Sequence, residues 1–234
     1  MHRKTIIQAY IDRLGAQTYL EIGVQRGHLF LEVRAPRKIA VDPQFMISRT
    51  HKVKYFFQRL RERYYEMTSD AFFAGPVDEA LGGRPIDVAF IDGLHTHEQV
   101  MRDVRNCLRH LTPNGVILLH DCNPGSAAEA VYALSPADAK TRYPGWSSGV
   151  WTGDVYRAIV ELRAELSDRH VFVYDTDFGV GCIQPGRMED PVSLPHEEIA
   201  ALSYEQLAAD REHLLNLKPP AYLTEALDLL PADV

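Results

Sequence analysis

The chain has 234 residues and only three cysteines, Cys107, Cys122 and Cys182, none at a C-x-x-C spacing. That scarcity excludes a disulfide framework and points to reduced thiols in a cytoplasmic protein. No apolar run approaches the roughly 18 residues that spanning a bilayer requires. The opening MHRKTIIQAYIDRL carries basic residues but no apolar core of a secretory signal. Basic charge is also short, with 25 Lys and Arg against 32 Asp and Glu and a net charge of −7. No electrostatic footprint for nucleic acid or an anionic membrane is present, and the local RLRERYY reads as a solvated helix face. Internal repeats and low-complexity linkers are missing too.

What remains is an ordinary apolar fraction of 46%, enough for one α/β domain to bury a full core without staples. Ile6, Ile7, Tyr10, Ile11 and Leu14 recur at helical spacing, with Gly15 placed as a C-terminal stop. Strands are predicted over 18–22, 38–41, 64–67, 86–92 and 115–121, with helices after Gly27, across the mixed and basic 44–63, and from Thr96 to His110. The runs IDVAFID and GVILLHD are almost wholly apolar, as in strands covered by helices on both faces. Alternating strand and helix implies a doubly wound, Rossmann-like parallel sheet with right-handed crossovers. A helix over 154–166 precedes VFVYDTDFGVGCI, two β-rich runs split by an Asp/Gly turn. This hairpin makes the last strand antiparallel, for seven strands in all. Residues 1–184 form the expected domain, with 1–15 as its N-terminal helix. After the loop-rich 185–195, residues out to 234 form a helical extension packed on that domain or on a partner.

TYLEIGVQRG at 18–27 runs from a strand into a glycine-bounded turn. A dinucleotide fingerprint needs a middle glycine so that the backbone can approach a pyrophosphate, and Gln25 stands there. An NAD(P)-linked oxidoreductase is the alternative that this position disfavours. Glu21, two residues before Gly23, would repel phosphate and welcome an ammonium group. Asp42 ends the next strand, 21 residues on, where an acid accepts ribose hydroxyls. An ammonium, a ribose and no phosphate describe S-adenosylmethionine (SAM).

Glu21 to Gly27, AVDP at 40–43 and the closing hairpin resemble class I SAM-dependent methyltransferases. FIDGLHTHEQVMRDVRNCLRHLTPNGVILLHDCNP resembles, more narrowly, bacterial O-methyltransferases of sugars, related to macrolide-sugar and polysaccharide enzymes; the similarity spans about residues 16–184. The resemblance implies SAM held by Glu21, Gly23, Gly27 and Asp42, with Asp92 as a further contact. It places Ser69 and Asp70 near the adenine, although either could simply cap a helix. It also implies a homodimer, an acceptor that is a sugar, glycoside or oligosaccharide (a mannoside or natural-product sugar), and His95 as general base. A small-molecule acceptor other than a sugar remains open.

Asp92 ends one apolar strand and His120-Asp121 the next, and neighbouring strands lie about 4.8 Å apart. Asp92, His120 and Asp121 could therefore converge on Mg²⁺ or Mn²⁺, which positions a sugar hydroxyl and lowers its pKa. Asn123 could add a carbonyl oxygen. His120 could instead be the base, a role for which an imidazole titrating near neutrality suits either histidine. Trp146 and Trp151, the chain's two tryptophans, fall in one loop whose flat faces suit a pyranose ring. Asp154 is expected to cap the helix that follows.

Overall fold

The computed structural model describes residues 1–48, 62–143 and 149–231. The expected helix over 44–63 lies mostly outside these residues, and 44–48, which are described, are not helical. Eight strands form one sheet: β1 (Thr18–Ile22), β2 (Arg37–Asp42), β3 (Glu62–Glu66), β4 (Ile86–Ile91), β5 (Leu111–Leu119), β6 (Arg169–Tyr174), β7 (Val180–Pro185) and β8 (Leu217–Lys218). Their order is β3-β2-β1-β4-β5-β7-β6-β8. Pairing is parallel from β3 to β5, while β7 runs antiparallel to both β5 and β6. The Rossmann-like sheet with its antiparallel hairpin strand is thus present. The two-residue β8 is an addition, parallel to β6 and too short to leave a periodic signal.

Alternation along the strands divides the core in two. Leu20, Ile22, Ile39 and Val41 face one layer with Val100, Val104 and Ile159, while Tyr19, Ala40, Val88 and Phe90 face the other with Ile6, Ile7 and Phe30. Helix α1 (Arg3–Arg13) lays Ile6, Ile7, Tyr10 and Ile11 on the second layer, beside α2 (His28–Glu32). The first layer carries α3 (Ser69–Ala74), α4 (Val77–Leu81), α5 (His97–His110) and α7 (Val155–Glu165), with α6 (Pro136–Arg142) preceding the last. Helix α5 buries Val100, Met101, Val104 and Cys107, a stripe at helical spacing, and Thr96 caps its start.

The segment after β7 is broken into α8 (His196–Ala200), α9 (Tyr204–Ala209), α10 (Arg211–Leu215) and α11 (Leu223–Asp228). Its helices sit on both layers, α8 and α10 against α7, and α11 against α1. Arg163 of α7 holds it by donating to the carbonyls of His213, Glu189 and Asp190. Strand β5 starts four residues before the expected Gly115, because Leu111 pairs with Ile86 ahead of a register shift. Among the described residues, no helix is long and apolar enough to cross a membrane.

Candidate active site

A cavity of about 910 Å³ opens beyond the carboxyl ends of β1, β2, β4 and β5, where open α/β sheets bind ligands. Its lining includes the cofactor, metal and catalytic candidates read from the sequence except Asn123, together with Trp151. Trp146 lies outside the described residues.

The glycine turn forms the floor. Gly23 (φ +86) passes so near the Asp92 carbonyl that a Cβ there would stand 1.9 Å from its oxygen. The two strand ends interlock at this point, so any side chain would also displace Asp92. Asp42 braces the turn by accepting from the Gln25 and Gln44 amides, at 2.7 Å each, which leaves one lone pair per oxygen for a ligand. Glu21 is buried, and Tyr19 donates to it at 2.6 Å. Burial pushes its carboxyl up to about 8. Near neutrality it therefore carries a proton that an arriving ammonium group would expel.

At the end of the cavity where the sequence places an adenine, Thr68 rather than Ser69 or Asp70 caps α3. Ser69 is freed from capping, and its hydroxyl accepts from Gln99 at 3.2 Å, while Gln99 also reaches Asp103 at 3.1 Å. Asp103 is 1% exposed, and burial raises it to about 6. Gln99 and Asp103 line the cavity, yet sequence reasoning passed over them because on an amphipathic helix they read as ordinary polar positions.

The reacting end is a cluster of acids and imidazoles. Asp92, His95 and Asp121 each offer a ligand atom, all within 4.8 Å of one another. His95 Nε2 stands 3.4 Å from Asp92 and its Nδ1 3.3 Å from Asp121. His95 thus joins the two acids that sequence reasoning grouped with His120. His120 Nδ1 still lies 3.4 Å from Asp92 and 3.1 Å from Asp121. Asp121 adopts φ +60, a left-handed turn that acids tolerate better than most residues.

His120 is tied on its other side to two residues without any sequence motif. Asp177, in the β6–β7 turn, lies 3.7 Å from its Nε2 and accepts from Arg3 Nη1 at 3.0 Å. Arg3 Nη1 is also 3.1 Å from that Nε2, a hydrogen bond only if the ring is neutral there. Burial opposes charge on the ring, but Asp92, Asp121 and Asp177 together push its pKa up to about 12. Three carboxylates outweigh one guanidinium, so the ring is an imidazolium sharing Asp177 with Arg3. Burial likewise opposes ionisation of Asp92, yet His120 and His95 hold it well below the usual carboxylate range. For His95 the opposing burial is overcome by Asp92 and Asp121, which raise it.

Two expectations about neighbouring residues change. The Asn123 carbonyl oxygen accepts from Arg211 and its amide donates to Asp175, so it serves the scaffold. Asp154 makes no cap bond to α7; it accepts instead from the His97 amide at 2.8 Å, closing the start of α5.

Residues 20–122 match the family described as the methyltransferase domain. The matched segment, a little under half of the chain, is similar to that methyltransferase domain. Solved structures agree in fold. Cofactor-bound Rv0187 from MTB shares 17% identity at a TM-score of 0.55, with 78% of each chain covered. The O-methyltransferase TomG from Streptomyces achromogenes, in complex with SAM, shares 14% at 0.54, again over 78% of each. The O-methyltransferase from Bacillus cereus, in complex with SAH, shares 13% at 0.50, covering 78% of this chain and 80% of that chain. No curated protein matches the sequence.

Proposed function

We propose that the protein is a methyltransferase that transfers the SAM methyl group to a hydroxyl of a sugar or glycoside, with a divalent ion assisting. The observation that carries the reading is the Asp92–His95–Asp121 group opening into the same cavity as the glycine turn. Glu21 would take the methionyl ammonium, Asp42 the ribose, and Ser69 with Asp103 the adenine end.

Two carboxylate oxygens and one imidazole nitrogen fit Mn²⁺ or Mg²⁺. When bound, such an ion supplies Lewis acidity that orients an alcohol and lowers its pKa. This chain's residues contribute the rest. His120 and His95 hold Asp92 ionised, Asp121 lies beside both histidines, and His95 would be a ligand where the ion is bound or the base where it is not. Both roles for His95, ligand and base, use the same nitrogen, so chelation separates them. Methyl transfer from SAM should stop in EDTA and return with Mn²⁺ if the ion is needed. Full turnover in EDTA would leave His95 as a base acting alone.

A non-sugar alcohol is the second reading, favoured by the likeness to TomG, which is involved in tomaymycin synthesis. Assay of paired glycosides and phenols for methyl transfer distinguishes the two. A homodimer in the cytoplasm completes the proposal, and a mass of one 26.5 kDa chain in light scattering would contradict the assembly.

A further inference from the structure

We infer that Trp151–Asp154 is the positioning element for His95 and that it selects which ring nitrogen works. The inference rests on His95 belonging to the reactive cluster, and it concerns a segment that lies outside the matched domain.

Four contacts converge on one short stretch. The Trp151 carbonyl lies 3.0 Å from His95 Nδ1. The Trp151 ring stacks on the imidazole, with centroids 4.9 Å apart and planes at 25°, and its own indole donates to the Val131 carbonyl at 2.9 Å. Gly153, at φ +62, packs so closely that a Cβ would stand 1.8 Å from the His95 carbonyl oxygen. Asp154 holds the His97 amide two residues on. The segment is itself pinned, because the Glu129 carbonyl accepts from the Thr152 amide, the Gly153 amide and the Thr152 hydroxyl, all at 3.0 Å.

A carbonyl can only accept, so the Trp151 contact requires the proton on Nδ1. The other group near Nδ1, Asp121 at 3.3 Å, is an acceptor as well. Nδ1 thus faces two acceptors, whereas Nε2 faces only the Asp92 carboxylate at 3.4 Å. The single proton of the neutral ring therefore stays on Nδ1, and Nε2 keeps the lone pair that binds a cation or takes a proton. A hydrogen bond at one imidazole nitrogen fixes the tautomer and orientation of the other. Gly153 is the residue that permits this, since a side chain there would push His95 away from the Trp151 carbonyl.

The test is a long-range ¹H–¹⁵N spectrum of the full chain with labelled histidines, recorded in EDTA above the raised pKa of the ring. His95 is identified by the signal lost in His95→Gln. The expected result is an Nδ1–H tautomer in the wild type, and an Nε2–H tautomer there would overturn the inference without any variant having to fold. Gly153→Ala should introduce the Nε2–H form and weaken Mn²⁺ binding by about 10–100-fold, the range for losing an outer-shell partner. Trp151→Phe, which keeps both carbonyl and aromatic face, should retain Nδ1–H. A Gly153→Ala spectrum identical to wild type would also overturn it. Absence of Mn²⁺ binding in the wild type would refute the metal reading alone, because the tautomer is read without metal.

Discussion

His95 and His97 stand two residues apart, each beside acids, and they do unrelated work. His95 precedes α5 in a loop, is partly exposed to the cavity and faces Asp92 and Asp121. His97 is the first residue of α5, 5% exposed, and its Nε2 lies 2.6 Å from Glu161 of α7, which also accepts from Arg105. One group of charges is open toward a ligand, and the other is closed on itself and joins two helices. What differs is the direction in which the backbone sends the side chain: a helical residue points back over its own first turn, here onto α7. Residue type and spacing alone could not tell the two apart.

The acids make the sharpest break between the two clusters. Asp121→Ala should cost methyl transfer about three orders of magnitude or more, since a metal supplies several kcal/mol of charge stabilisation. Glu161→Gln should leave turnover in place. Breaking a buried ion pair costs about 3–5 kcal/mol, so its melting point should fall with turnover retained. Rate and melting curves on both variants check this, and two variants failing in the same way would erase the distinction.

The histidines give the next largest effect. His95→Ala should lose about 10²–10⁴-fold in kcat if it is the base, with SAH affinity unchanged in calorimetry. His97→Ala should keep kcat within a few-fold.

A smaller effect tests the cavity floor against the ordinary surface acids. Glu21 is raised to about 8, so the folded protein holds its proton more tightly than the unfolded chain does. Without ligand, stability from this group is present at acid pH and is lost as pH rises from the carboxylate range through 8. An ammonium ligand restores ionisation, so SAH binding at pH 7 should release about one proton. Calorimetry in buffers of different ionisation enthalpy measures that release, and a value near zero would separate Glu21 from the ammonium.

Much of this was readable from residues in order along the chain. Gly23, Asp42, Asp92 and Asp121 announce themselves because each ends an apolar strand, and strand ends in a parallel sheet share one edge. Ser69 was visible, with an adenine contact and a helix cap both open to it, and Thr68 is the residue that takes the cap. Arg3 and Asp177 left no signal: they reach His120 across 117 positions in one case and from the β6–β7 turn in the other. No local pattern encodes a contact of that separation. That His95 also faces both acids depends on the left-handed turn at Asp121 and on the Trp151 segment, both products of tertiary packing.

Mn²⁺ binding and thermal denaturation of His95→Ala and His97→Ala, side by side, test the central claim without any acceptor. His95→Ala should lose Mn²⁺ while melting within about 2 °C of wild type. His97→Ala should keep Mn²⁺ and melt several degrees lower, since about 1–3 kcal/mol lost from a buried hydrogen bond shifts a chain of this size by about 2–4 °C per kcal/mol. Equal loss of Mn²⁺ in both variants, with neither destabilised, would contradict the account.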